Sequence, residues 1–390
     1  MRFLHTADWH LGKIFYGHRL TDDQSRILLD QFLHIIDDEG IECVMIAGDI
    51  YDRAAPPPEA VALFDEIITK LVCEKGVRIC CIAGNHDNGT RVGFGSALLE
   101  ASGLFVRGAV TKASIDSILS PVLLDDTYGK VAVTLLPYHD PADINHAMDA
   151  ETGRDFNAAM EVLAGAAAER IPKNTRSVLL AHAFVAGASA SGSEKALSTS
   201  VGGSDNVSYT NFLPWSYTCL GHLHGAQAAG EPKIRYSGSL MKYSANEAAQ
   251  EKSVTVVDLD ADGKVTTSAI PLTAPRDVRV ERGLFEHLLS LPKSNDFISF
   301  ELEDEHPVLN AHTRLAEHFP NLLPIRRLSS ERRADAEEPS VPAGRESLQR
   351  SDEEIFSDFF KGMTQEPLSD KAKEILASAL EEIAREEREA

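Results

Sequence analysis

Along roughly the first 270 residues, short apolar runs recur and stop on carboxylates, amides or imidazoles. RFLHTA runs into Asp8 and His10, CVMIAG into Asp49 and Asp52, and RICCIAG into Asn85, His86 and Asp87. VAVTLLP, SVLLAHA with His182, and YTCLG followed by His222 and His224 continue the series. Runs that are apolar throughout are expected of strands buried on both faces, and the segments between them carry helical periodicity. That alternation predicts an α/β fold, because a parallel sheet needs crossover helices to cover it. Open α/β sheets collect ligand sites at the carboxyl ends of their strands, which is where the polar residues stand here.

Between the first two runs, Thr21 with Gln24 three residues on predicts a capping box. Ile27, Leu28, Phe32, Ile35 and Ile36 form one helical face, and Gly40 is the stop. APPPEAVALFDEIITKL predicts a second crossover helix, with prolines tolerated at its start. From KIRYSGSL through KSVTVVDLDADGKVTTSAIPL the pattern alternates around an Asp-Gly turn, which predicts a hairpin added to a sheet and an end to the catalytic part near Leu272. Residues 276–328 predict a helix around ERGLFEHLLSL, a strand in DFISFELED and a helix in VLNAHTRLAEHF. A polar linker over about 329–350 leads to two amphipathic helices, SDEEIFSDFFKGMT and LSDKAKEILASALEEIAREEREA.

The start MRFLHTADWH reads as a strand and carries Asp8 and His10 where a leader would be apolar, so a cytoplasmic protein with no membrane partner is expected. Four of the five cysteines sit in apolar runs without C-x-x-C spacing, which predicts reduced core thiols. A net charge of −22, from 38 Lys and Arg against 60 Asp and Glu, argues against a protein that grips nucleic acid unaided. Residues 331–390 hold 9 Lys and Arg against 17 Asp and Glu, a net of −8 concentrated in the tail.

Taken singly, an Asp or Asn at a strand end is most simply a turn former or a helix cap. The conjunction says more, because Asp8-x-His10 and His222-x-His224 would each point two donors to one side of an extended chain. Carboxylate, imidazole and amide donors without cysteine suit Mn²⁺, with Mg²⁺, Fe²⁺ and Zn²⁺ open as alternatives. About seven candidate donors are too many for one ion and fit a pair of divalent ions sharing a carboxylate, an arrangement that clamps a phosphoryl group.

In order, ADWH, GDIYD, GNHD, AHAF and GHLH resemble the motif series of the calcineurin-like metallophosphoesterases. DWHLGK, SEKALSTSVGGSDNV, YSGSLMKYS and the helical ending further resemble the SbcD branch, the nuclease subunits of bacterial SbcCD complexes. The resemblance implies a four-layer αββα sandwich over 1–272, a small α+β capping domain over 273–328, a linker over 329–350 and C-terminal helices over 351–390. It implies that Asp8, His10, Asp49 and His224 hold one ion and Asp49, Asn85, His182 and His222 the other, with Asp49 bridging. His86 would protonate the leaving oxygen, and Asp52 would hydrogen-bond the His86 ring. Gly84 would let the backbone bend close to the ions through its tolerance of unusual dihedrals. Asp87 is left open between supporting a ligand from behind and stabilising the turn, with no catalytic role expected.

The loop HLGKIFYGHRL mixes Lys13, His18 and Arg19 with Phe15 and Tyr16, and Arg53 and Arg91 each follow a motif, so these five cationic residues are the candidates for DNA contact. The branch implies that the C-terminal helices dock on the coiled coil of an SbcC-like SMC ATPase, which would supply the basic surface this chain lacks. A homodimer within a heterotetramer, associated with the nucleoid, is the implied assembly. The expected function is a Mn²⁺-dependent double-strand exonuclease and single-strand or hairpin endonuclease in DNA repair, replication and recombination. The alternatives are a stand-alone phosphodiesterase acting on small diesters or nucleotides, and a non-catalytic scaffold.

Overall fold

Two six-stranded sheets organise the molecule, and the burial of alternate residues shows how they stack. The computed structural model describes residues 1–186, 188–189 and 206–328, with isolated positions between 357 and 376. The expected linker, nearly all of the expected C-terminal helices and most of SEKALSTSVGGSDNV lie outside the described residues.

The first sheet runs Val265–Pro271, Ser253–Leu259, Arg2–Thr6, Cys43–Ile46, Arg78–Ile82 and Leu104–Arg107. The second runs Gln227–Ala229, Glu231–Tyr236, Tyr217–Gly221, Arg176–His182, Gly129–Leu136 and Val122–Asp126. The last four strands of the first and the middle four of the second are parallel within their sheets, and antiparallel strands complete the edges. Along each strand, neighbours point to opposite faces. Phe3, Cys43, Met45, Cys80, Ile82, Val178, Leu180, Tyr217 and Cys219 fill one core between the sheets. Their neighbours Leu4, Val44, Ile79 and Cys81 pack under helices on one outside, and Leu179, Ala181 and Leu220 under helices on the other. Three stacked apolar interfaces make the four-layer αββα arrangement, and they explain why these strands carry apolar residues on both faces.

The first crossover is helical from Thr21–Arg26 through a π-helical stretch, Ile27–Phe32, to Leu33–Asp38, and Gly40 stops it at φ 60°. The predicted capping box is not formed: the helix has no side-chain cap, and Gln24 is buried with its amide turned to other loops. The second crossover helix, Pro58–Thr69, starts on prolines as expected and buries Ala60, Leu63 and Ile67.

Residues Met1–Leu328 make one compact unit and Ser329–Ala390 a second. Within the first, Val278–Gly283, Phe297–Leu302 and Arg326–Arg327 form a parallel three-stranded sheet. Its helices, Phe285–Leu289 and Ala311–Ala316, cover a separate core of Phe285, Leu288, Phe300, Leu315 and Phe319. The start of ERGLFEHLLSL, predicted as helix, is instead the end of the strand Val278–Gly283, because pairing with Phe297–Leu302 overrides its local propensity.

An ion cluster ties the two sheets together. Asp126 takes both guanidinium nitrogens of Arg176, at 2.5 and 2.8 Å, and the α-amino group of Met1 at 2.5 Å. Both side chains are almost fully buried, and their pairing holds the Asp126 carboxyl well below the usual carboxylate range despite that burial. Removing one partner of such a pair leaves a buried charge uncompensated, so Asp126→Ala should cost about 3–5 kcal/mol in urea unfolding. A depressed carboxyl contributes stability above its unfolded pKa and loses it as pH falls. The Tm gap between the wild type and Asp126→Asn should therefore narrow as pH drops below about 4.

Candidate metal centre

Five strands deliver the polar residues to one place. Asp8 and His10 follow Arg2–Thr6, Asp49 follows Cys43–Ile46, Asn85 follows Arg78–Ile82, His182 ends Arg176–His182, and His222 and His224 follow Tyr217–Gly221. All but Asn85 are buried, none more than 5% exposed. The pairs do not converge through an extended chain, as the alternate spacing predicted. Asp8, His10 and Asp49 have φ of 54°, 45° and 49°, and His222 has 107°. Side chains other than glycine rarely adopt that backbone, at on the order of 1–3 kcal/mol each, and such strain gathers at functional sites. The bend is held by main-chain bonds between loops, Asp8 N–H to Gly48 O and His10 N–H to Asp49 O, each 3.0 Å.

What the bent loops bring together is a set of oxygens and ring nitrogens able to ligate a metal. His182 donates Nδ1–H to the Ala47 carbonyl at 2.9 Å, which turns Nε2 toward Asn85 Oδ1 at 2.9 Å and Asp49 Oδ2 at 3.5 Å. Nδ1 of His222 lies 3.1 Å from the same Asn85 oxygen. Nε2 of His10 lies 3.2 Å from Nε2 of His224 and 3.7 Å from Asp49 Oδ2. The His10 Nδ1 has no hydrogen-bond partner among the described residues. Oxygen and imidazole donors spaced like this match the edges of a coordination shell with bonds of about 2.1 Å, so the residues fit divalent cations. Burial lowers His182, but the Asp49 charge and hydrogen bond outweigh it and raise the ring to about 9, and His182 in turn keeps Asp49 well below its ordinary value. Burial raises Asp8 to about 7 against the pull of His182 and His224.

His86 lies at the rim, its ring edge-on to His10 with centroids 4.7 Å apart. Its Nδ1 donates to the main-chain carbonyl of Asp52 at 2.9 Å. This corrects the predicted contact, which assigned that role to the Asp52 carboxylate. The carboxylate instead accepts from Lys13 Nζ at 2.7 Å and stands 3.6 Å from His10 Nδ1. It does not cap the following helix either, whose N-cap is Pro57. Asp87, open in the sequence, pins two loops together: its oxygens accept from the amides of Ile50 at 3.1 Å, Tyr51 at 2.9 Å and Gly84 at 2.9 Å. Gly84 is required, but for space and not for a left-handed φ: a Cβ there would sit 2.2 Å from Asp49 Oδ1.

Of the residues predicted to touch DNA, Lys13 stands beside the centre, bonded to Asp52 and 5.4 Å over the Tyr243 ring. Arg53 is exposed on an adjoining loop, and Arg91, exposed in the short helix Gly89–Val92, donates to Ala54 O at 3.3 Å. His18 and Arg19 lie in a short hairpin turned elsewhere, His18 against Phe297 of the small sheet and Arg19 on Glu59. The sequence reading missed a brace behind the first loop. Gln24 Nε2 donates to the carbonyls of Trp9 and His10 and to Tyr243 Oη, its Oε1 accepts Gly12 N–H, and Tyr243 Oη also bonds Trp9 O. A buried glutamine on an otherwise apolar helical face was the available signal.

Residues 1–225 match the family model for calcineurin-like phosphoesterases, more than half of the chain. The chain belongs to the calcineurin-like phosphoesterase family. Residues 274–364 match the model described as type 5 capsule protein repressor C-terminal domain. A similar curated protein is the SbcD subunit of the SbcCD nuclease of Staphylococcus epidermidis, 28% identical over 389 residues, spanning 98% of this chain and 99% of that one. Among solved structures, TT1561 of Thermus thermophilus is 14% identical with a TM-score of 0.38, covering 69% of this chain and 98% of that chain. GAP50, the anchor in the inner membrane complex of Plasmodium, is 10% identical with a TM-score of 0.37, covering 83% and 96%. Membership makes this phosphoesterase a hydrolase that works with divalent metal. Among its described residues, no helix is long and apolar enough to cross a membrane. Asp87→Ala, which leaves three amides of the phosphoesterase loops unpaired, should lower stability by about 2–4 kcal/mol and weaken metal uptake, read by thermal melts and elemental analysis.

Proposed function

We propose that the chain is the nuclease subunit of a DNA-processing complex, cutting phosphodiester bonds with two Mn²⁺ ions, Mg²⁺ or Fe²⁺ being the alternatives. The observation that carries the reading is the convergence of seven donor side chains, with an eighth residue, His86, at the rim. It is supported by a nuclease relative that aligns over 98% of this chain. In this reading Asp8, His10, Asp49 and His224 hold one ion, and Asp49, Asn85, His182 and His222 the other. When bound, the pair supplies Lewis acidity to the phosphoryl group and lowers the pKa of an attacking water.

The protein's own groups do the rest. Asn85 contributes an oxygen without a charge, so the centre can still admit a phosphate anion. His86 is the general acid. Its Nδ1–H is committed to the Asp52 carbonyl, so Nε2 is the atom that delivers a proton to the leaving oxygen. Lys13, beside the centre, Arg53, on an exposed loop, and Arg91, on the short helix Gly89–Val92, contact the DNA backbone, whereas the packing of His18 and Arg19 favours a structural role for their hairpin.

The charge of −22 requires another source of basic surface. An SMC-like ATPase of the SbcC type, docked through residues 351–390 in a heterotetramer built on a dimer of this chain, fits that need in repair, replication or recombination. The family-model match that reaches residue 364 supports a C-terminal extension with a role of its own.

Linear duplex DNA, a DNA hairpin and bis-p-nitrophenyl phosphate, offered with Mn²⁺ or Mg²⁺ and with or without the ATPase, test the reading. Both DNAs should be cut; turnover of the small diester alone would favour a stand-alone phosphodiesterase. His86→Ala should keep both ions by elemental analysis and lose roughly 10²–10⁴-fold in turnover, while Asp49→Ala should lose the ions too. Asp52→Asn, which spares the carbonyl that holds His86, should cost less than about tenfold.

A further inference from the structure

His224 is held from behind by a carboxylate that belongs to no strand end. Glu247, fully buried in the turn Ala245–Glu247, accepts from Nδ1 of His224 at 3.0 Å on one oxygen and from Nζ of Lys252 at 2.5 Å on the other. Lys252 is 6% exposed and also donates to the His224 carbonyl at 2.9 Å, Ser239 Oγ at 2.9 Å and Gln250 Oε1 at 2.7 Å. Ser239 N–H returns to the same His224 carbonyl at 3.1 Å. Burying a carboxylate and an ammonium costs several kcal/mol each unless they pair well, and nothing in the strand pairing calls for either. The expense is concentrated at a single imidazole.

An ionised carboxylate can only accept, so Nδ1 of the His224 ring carries a proton, and in the neutral ring the lone pair is on Nε2. That lone pair points forward, into the acceptor cluster, 3.2 Å from His10 Nε2. We propose that Glu247 is the positioning residue of His224, fixing the tautomer and ring angle that present Nε2 to a cation, and that Lys252 cancels its charge. The cancellation matters because an uncompensated carboxylate behind the ligand would add to the negative field that an incoming phosphate must enter. The inference rests on the metal reading of the centre and deepens it. It also explains the stretch from YSGSL to Lys252, which carries the outer support of the GHLH loop on Ser239, Glu247, Gln250 and Lys252.

Two charge-matched double variants test this without orphaning a buried ion. Glu247→Ala with Lys252→Met removes the acceptor, and Glu247→Gln with Lys252→Met keeps an oxygen for Nδ1–H. Titrating Mn²⁺ into the metal-free chain by calorimetry, the alanine pair should lose roughly 10–100-fold in affinity at one of two sites. The glutamine pair should recover most of that loss. Nitrogen-15 spectra of the metal-free histidines should show His224 as the Nδ1–H tautomer in wild type and glutamine variants and as a mixture in the alanine pair. Wild-type affinity at both sites in the alanine pair, or a glutamine pair as weak as the alanine pair, would overturn the proposal. A wild-type chain that takes up no Mn²⁺ would instead bring down the metal reading itself.

Discussion

The crowding of polar side chains around the buried Asp49 is the constraint on which the rest of the structure depends. Ring nitrogens of His10, His182, His222 and His224 and the Asn85 oxygen crowd within 2.9–3.2 Å of one another, close enough for each pair to share one proton or one cation. The chain holds them in place by several independent means: left-handed backbone at four of the donors, Asp87 across the amides of two loops, and Gln24 beneath a third. At the same time, the ion cluster on Asp126 and the sandwich core let the loops carry that strain without the sheets giving way.

Much of this was legible in the residues. Strands buried on both faces show as unbroken apolar runs, and donors at carboxyl ends of parallel strands need no long-range knowledge, because sheet direction places them together. Less legible was anything that depends on main chain. The partner of His86 is a carbonyl, and a carbonyl has no letter of its own, so the nearby carboxylate of Asp52 was the natural misreading. Gln24 fitted a capping box by spacing, yet burial gives its amide more valuable partners across the fold than a helix terminus offers. Gly84 does allow a close approach, but through its missing side chain and not through an unusual dihedral. Glu247 and Lys252, more than twenty residues after His224, carry no spacing signature at all.

The hairpin Ile14–Phe15/His18–Arg19 shows how two regions far apart in sequence share one joint. Phe15 and His18 press edge-on against Phe297, Arg276 lies over the same ring, and Arg276 also pairs with Asp23 at the start of the first crossover helix. The loop that leaves His10 is thus continuous, through these side chains, with the small sheet of residues 278–327. Lys242, bonded to Asp277 and to the carbonyls of Ala248 and Val278, makes a second such link near Glu247.

The position of Arg2–Thr6 has a consequence for synthesis. This strand lies inside its sheet, between Cys43–Ile46 and Ser253–Leu259, so during synthesis it must wait for residues made some two hundred and fifty positions later before its pairing closes. Domains fold as units during translation only when their distant partners have emerged. His222 and His224 arrive late in the same way. A chain truncated before them therefore lacks two of six strands in the first sheet and two of seven donors, and the capacity to hydrolyse phosphoric esters is withheld until nearly the whole catalytic region exists.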